Sequence, residues 1–159
     1  METTQVRKLL AMAGFGALTA GAAAVGARFT PASSWYGRLR KPWFQPPGWL
    51  LAPVWTGLYT LIAVSGYRVW RSPSSPERTT ALTFWGAQLA LNAAWTWLFF
   101  GKHNPRAALI DIGLLRGTID AYTQAARKVD PSARWMMFPY RGWVTFAALL
   151  NAEIVRKNV

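Results

Sequence analysis

Three observations predict an all-α integral membrane protein, a single domain over residues 1–159 built as a bundle of five transmembrane helices. The 159 residues are 52% hydrophobic and 14% aromatic but only 15% charged, against roughly 25% charged in average soluble chains. Five apolar segments, at about 9–29, 50–70, 80–100, 106–126 and 134–155, each approach the length that crosses a bilayer. Lys and Arg stand in short clusters between these runs, such as Arg7/Lys8, Arg38/Arg40/Lys41, Arg68/Arg71 and Arg156/Lys157, where they flank spans and meet lipid phosphates. That placement turns the formal charge of +12 away from nucleic-acid binding, which calls for a basic patch or stripe.

The first segment, LLAMAGFGALTAGAAAVGARF, follows Arg7/Lys8 and ends in AAAVGA, as a cleavable signal peptide does. Its apolar run is longer than such a leader needs. Ala13, Ala17 and Gly21, and Gly16, Ala20 and Ala24, recur at four-residue spacing, which suits close helix packing in lipid. A retained first helix is predicted. After the break Thr30-Pro31-Ala32-Ser33-Ser34 comes a lid loop at about 30–49. Residues 35 to 59 hold four tryptophans, four prolines and three cationic residues before turning apolar. Rigid amphipathic side chains suit sites with one dry and one wet end. In the second span, Pro53 and Trp55 combine a lost backbone donor with an indole.

In the third span Gln88 and Asn92 lie four apart, with Trp85 and Trp95 on the same helical face. Amides are costly in hydrocarbon, so this face looks inward. It serves either helix–helix hydrogen bonds, worth about 0.6–2 kcal/mol each, or a pocket wall with amides between two indoles. The fifth span repeats the theme, with Pro139, Trp143, Ala147 and Asn151 on one ladder. A proline inside a span can kink it and leave room beside it. Several such faces converging make a pocket for a flat, apolar ligand.

The fourth span is unusually polar. Arg116, Asp120 and Gln124 form one stripe continuing to Arg127, while Asp111 falls on nearly the opposite face and is predicted to point inward. A charge at bilayer centre costs roughly 2.5–3.5 kcal/mol, and Arg116 and Asp120 are spaced to pair. The stripe lines a polar interface with a partner chain, or a water-filled path, or it marks lipid-facing positions altered toward solubility. Flanking charges tie at eight per side, so they set no orientation.

The sequence has no cysteine and one histidine, His103. That excludes disulfides, a thiolate nucleophile and a metal site of several Cys or His within one chain. No Ser/His/Asp or paired-carboxylate arrangement is visible, and no cofactor is required.

The motifs WY–x2–L–x–KPW–x2–PPGW, VW–x2–LY, Q–x3–N–x2–W–x2–LFF, IDI and PY–x2–W–x2–FA–x2–LN run in order from Trp35 to Asn151. Together they resemble the tryptophan-rich sensory protein family, the bacterial branch of the translocator protein (peripheral benzodiazepine receptor) family. The resemblance implies five transmembrane helices in a lipid bilayer, a homodimer, and a first loop folded over a pocket. It implies a receptor or sensor for porphyrins, notably protoporphyrin IX and haem, and for similar ligands. Pocket residues carried over by motif are Tyr36, Pro47, Trp55, Gln88, Asn92, Trp143 and Ala147. Two alternatives come with it: a transporter of tetrapyrroles or other amphipathic solutes along the stripe, and a light-dependent porphyrin-degrading enzyme using Trp55 and Trp143 as electron donors. The chain departs from the family at Arg116 and Asp120, where aliphatic or aromatic residues are usual, at Arg141 and Gly142, and at Glu153. Its tail LLNAEIVRKNV lacks the Tyr of the animal sterol-recognition pattern, so sterol binding there is not carried over.

Overall fold

The breaks read in the sequence are built as helix starts. Ser75-Pro76, Asn104-Pro105 and Asp130-Pro131 each pair a capping side chain with a proline at the first helical position. The cap side chains accept from the backbone N–H groups of Arg78, of Ala107, and of Ser132 and Ala133. Proline loses nothing there, because that N–H would be unpaired in any case. The computed structural model describes residues 2–29 and 34–159, and among them it contains helices and no strand. In chain order these are α1 (Thr3–Phe29), α2 (Ser34–Arg38), α3 (Gly48–Arg71), α4 (Pro76–Thr96), α5 (Pro105–Arg127), α6 (Pro131–Met136) and α7 (Phe138–Asn158). A π-helical turn, Trp97–Gly101, extends α4.

Three expectations change. The fifth segment is two helices, because the chain breaks at Met137, and Pro139 opens α7 instead of kinking its interior. The lid is not all loop, since Ser34–Arg38 is helical; Thr30 to Ser33 lie outside the described residues. By length and composition only α1 and α3 are apolar enough to cross a membrane. The faces of α4, α5 and α7 carry the polar residues that set them apart. Pro53 does stand inside α3, as expected.

The long helices form a ring in the order α1, α3, α7, α5, α4 and back to α1, with α4 against α5 the most extensive contact. Ile62, Val69, Ile119, Tyr122, Met137 and Tyr140 are wholly buried in the core. Trp85 belongs to this core and not to a pocket wall. Its Nε1 donates to the Ile62 carbonyl at 2.9 Å, and its ring meets Phe15 edge-on at 4.8 Å.

α3 is tied firmly to the other helices at one end. Ser65 Oγ donates to the Ala133 carbonyl and accepts from the Tyr122 hydroxyl, both at 2.7 Å. Arg68 grips Asp130 with two bonds, at 2.9 and 3.3 Å. Burial works against the Asp130 charge. The Arg68 guanidinium and the N–H groups of Ala133 and Ser132 outweigh it and hold the carboxyl below its usual range. A depressed carboxylate contributes stability above its unfolded value and loses it as pH falls through the folded one. Asp130→Asn keeps the cap but removes the charge, and is expected to lower stability by about 1–2 kcal/mol at neutral pH. Thermal melts in detergent should show the gap from the unmodified chain closing below about pH 4.

Candidate ligand-binding site

At the other end, α3 and α7 scarcely touch, and aromatic rings fill the gap. Trp55 and Trp143 meet edge to face at 6.2 Å and 86°. Trp55 stacks on Tyr59 at 5.2 Å and meets Tyr140 at 6.4 Å. Trp143 leans on Phe146, which reaches Phe44 of the lid. Edge-to-face and offset arrangements are what ring quadrupoles favour. The result is one aromatic wall from three parts of the chain.

Behind the wall the amides act differently from one another. Asn92 accepts from the Tyr59 hydroxyl at 2.9 Å and donates to the Tyr140 hydroxyl at 3.0 Å. Further along, Trp95 Nε1 donates to Asn151 Oδ1, and Asn151 Nδ2 donates to the Pro105 carbonyl. Both asparagines therefore serve as interhelical bonds. Gln88 is wholly buried with neither amide atom paired to the protein, and Asp111 points inward as expected with one carboxyl oxygen unpaired. Buried polar groups without partners are few in native folds and call for an explanation.

The lid closes the site from above. Tyr36 on α2 accepts from Gln45 Nε2 at 2.7 Å and sets its ring against Phe100 and Phe99. Burial pushes its hydroxyl above the ordinary value, and the Gln45 bond offsets only part of this, so it stays neutral at physiological pH. Trp35 stacks on His103 at 4.5 Å. Asn158 then clamps the lid to α7: the Arg40 N–H donates to its Oδ1 at 2.7 Å, and its Nδ2 donates to the Arg40 carbonyl at 2.8 Å. Under the lid lies a cavity of about 70 Å³, lined by Tyr36, Gln45, Trp95, Phe99 and Ala147 among others. Ligand pockets run to roughly 300–1,000 Å³, so this cavity is several times smaller than a typical one. Its lining is aromatic with a few neutral polar groups, among them the Tyr36 hydroxyl, which suits a flat apolar ligand.

Of the residues singled out in the sequence, Tyr36 and Ala147 line the cavity, and Trp55 and Trp143 face each other in the wall. Asn92 braces that wall, and Gln88 lies buried in α4. Pro47 is not brought in; it is exposed at the N-cap of α3. Trp43 and Trp49 likewise point outward, at 93% and 75% exposure, so the lid caps the cavity with Tyr36 and Gln45 and not with all its indoles. Sequence reasoning missed Tyr59, Tyr140, Gln45, Phe99 and Phe100 as site residues. Tyr59 stands one turn after Trp55 and Tyr140 just under a turn before Trp143, which was a usable signal. Phe99 and Phe100 stood in the W–x2–LFF motif, although nothing in it marked the π turn that sets them.

The polar stripe divides in two. Arg116 pairs with Asp120 and donates to Thr145 Oγ1 at 2.7 Å, while Arg141 of α7 donates to the same Asp120 at 2.7 Å. Gln124 and Arg127 instead line an open groove of about 460 Å³ with Pro76, Glu77 and Thr80. Gln124, Arg127 and Thr145 are exposed, while Arg116, Asp120 and Arg141 are half-buried.

The chain is 39% identical over 126 residues to the translocator protein of Ovis aries, covering 78% of this chain and 75% of that one. It is 38% identical over 135 residues to the tryptophan-rich protein TspO of Archaeoglobus fulgidus (84% and 87%). To the tryptophan-rich sensory protein of Cereibacter sphaeroides it is 37% identical over 136 residues (86% and 84%). Residues 15–156, which take in most of α1 and everything from the lid to the last turn of α7, match the TspO/MBR family, and the chain belongs to that membrane-embedded family.

Proposed function

We propose that this chain is a multi-pass membrane receptor or sensor that binds porphyrin-like tetrapyrroles, such as protoporphyrin IX or haem, between the Trp55/Trp143 wall and the lid. In this reading all five long helices span the bilayer. α4, α5 and α7 hold 21, 23 and 21 residues, near the roughly 20 that suffice, and their amides Gln88, Asn92 and Asn151 are turned inward, as hydrocarbon demands. A relative named tryptophan-rich sensory protein supports a sensor, and the name translocator protein of another fits the transporter alternative. The observation that carries the proposal is the aromatic-lined cavity beneath a clamped lid, whose Ala147 stands one turn beyond Trp143 of the wall.

The direct test is titration of the purified protein in mild detergent with protoporphyrin IX in the dark, read by tryptophan fluorescence. Saturable quenching is expected, and Trp55→Ala/Trp143→Ala should weaken it at least tenfold, a loss of about 1.4 kcal/mol. Quenching that is absent, or equal in both proteins, would overturn the site.

A cavity of about 70 Å³ cannot admit a tetrapyrrole until the lid moves. Asn158→Ala removes both clamp bonds, each worth about 0.5–1.5 kcal/mol. Stopped-flow association and dissociation should both accelerate several-fold while the equilibrium affinity changes little. Unchanged rates would show that the lid does not gate entry.

A further inference from the structure

The outer face shared by α5 and α7 combines features that lipid alone does not satisfy. Ile110, Leu114 and Leu149 present 59–69% of their surface there, as hydrocarbon-facing side chains do. Among them stands the Arg116–Asp120–Arg141 network, with Arg116 the central residue of Pro105–Arg127. Two guanidiniums share one carboxylate, so the network keeps a net positive charge, with Arg116 at the centre of α5 and Arg141 in the first turn of α7. Each guanidinium carries five N–H donors. The protein takes two from Arg116, by Asp120 and Thr145, and one from Arg141, by Asp120. Beside the network Gly113 and Gly117 lie one turn apart on α5, and Gly142 follows Arg141 on α7. A Cβ added at any of the three would meet nothing within 4 Å. Such a floor lets a second helix backbone approach closely in a membrane.

We infer that the α5–α7 face docks a membrane-spanning helix of a partner protein that carries one Asp or Glu near its midpoint. Its backbone seats over Gly113 and Gly117, and its carboxylate takes the remaining donors of Arg116 and Arg141. Charge complementarity selects this occupant over a second copy. The chain's acidic residues are Glu2, Glu77, Asp111, Asp120, Asp130 and Glu153. Asp111 is buried, Asp120 is already in the network, Asp130 holds Arg68 and Glu153 holds Arg156. Glu2 precedes α1, and Glu77 sits in the first turn of α4. No carboxylate is left at mid-depth for a twin to offer, and two copies face to face would set four guanidiniums around two carboxylates. A homodimer would therefore use another face. Lipid phosphates lie at the interface, which Arg141 in the first turn of α7 approaches but Arg116 at the centre of α5 does not.

The inference rests on reading α5 and α7 as spanning, and the test separates the two. The chain contains no cysteine, so single labels are clean. The full chain with Val159→Cys bearing a donor fluorophore is placed in phosphatidylcholine vesicles with an acceptor-labelled Leu/Ala-rich transmembrane peptide holding one central Glu, at mildly alkaline pH. Energy transfer should half-saturate at about tenfold lower peptide fraction than with the Gln peptide. Arg141→Gln should erase that difference, and Gly113→Leu/Gly117→Leu should abolish association of either peptide. Equal binding of the two peptides, or indifference to the glycine variant, overturns the docking site. So does transfer between labelled copies that only the glycine variant removes, which would make the face a self-interface. Separately, a label at Leu114→Cys should be quenched by lipids brominated in mid-chain; quenching only by aqueous iodide would remove the spanning reading itself.

Discussion

Gly66→Ala is expected to destabilise the bundle by about 3 kcal/mol, the upper end of what overpacking costs. A Cβ at Gly66 would lie 2.5 Å from Trp85 Cε2 and Nε1 and 2.9 Å from Phe15. Neither ring has somewhere to go. Trp85 is pinned by its bond to the Ile62 carbonyl and by the edge-on contact with Phe15, and it is only 3% exposed. The extra methyl must therefore separate α3 from α1 and α4 together. Gly57→Ala on the same helix is the control, since a Cβ there meets nothing within 4 Å; it should be neutral or slightly stabilising. Thermal unfolding in detergent would compare them, and equal melting temperatures would show that the α1–α3–α4 crossing is looser than described.

Asn92→Leu is the second large effect, at about 2–4 kcal/mol. Removing the amide strands two tyrosine hydroxyls, and Tyr140 is wholly buried. A buried polar group left without its partner costs about 1–3 kcal/mol, whereas replacing all partners by apolar groups can be nearly neutral. Adding Tyr59→Phe and Tyr140→Phe to Asn92→Leu should therefore recover most of the loss. If the triple variant melts no higher than the single one, Asn92 acts through its shape and not through these bonds. Porphyrin affinity should follow the same order, because Tyr59 and Tyr140 both touch Trp55.

The contrast between Trp85 and Trp95 shows how far the sequence could be read. Periodicity placed both on the inward face of α4, correctly, but a face has neighbours that periodicity does not name. One indole went to the α1–α3 crossing and the other to the cavity. Gln88 and Asn92 divided in the same way, since only Asn92 meets tyrosines from α3 and α7. Asp111 pointed inward as its helical phase required, and the prolines marked three helix starts. Pro139 was misplaced because a proline within a span and a proline at a helix N-terminus look alike until a residue just before it, here Met137 two positions back, falls outside the helix. The stripe from Arg116 to Arg127 was one row on α5. Its division was set by Arg141, distant in sequence, and by the start of α4. Pro47, Trp43 and Trp49 shared the lid's composition without sharing its contacts.

The two ends of α3 are held unequally. One end is laced to α5 and α6 by Ser65, Tyr122, Arg68 and Asp130, while the other meets α7 chiefly through rings, braced by the Asn92 bonds to Tyr59 and Tyr140. A structure fastened at one end opens like a clothes-peg. Set in a bilayer, the splay of α3 from α7 enlarges the protein's cross-section in one leaflet only, and the work of opening becomes lateral pressure times added area in that leaflet. If the chain binds ligand as proposed, looser packing of that leaflet would favour uptake, and membrane composition would tune affinity without touching the site.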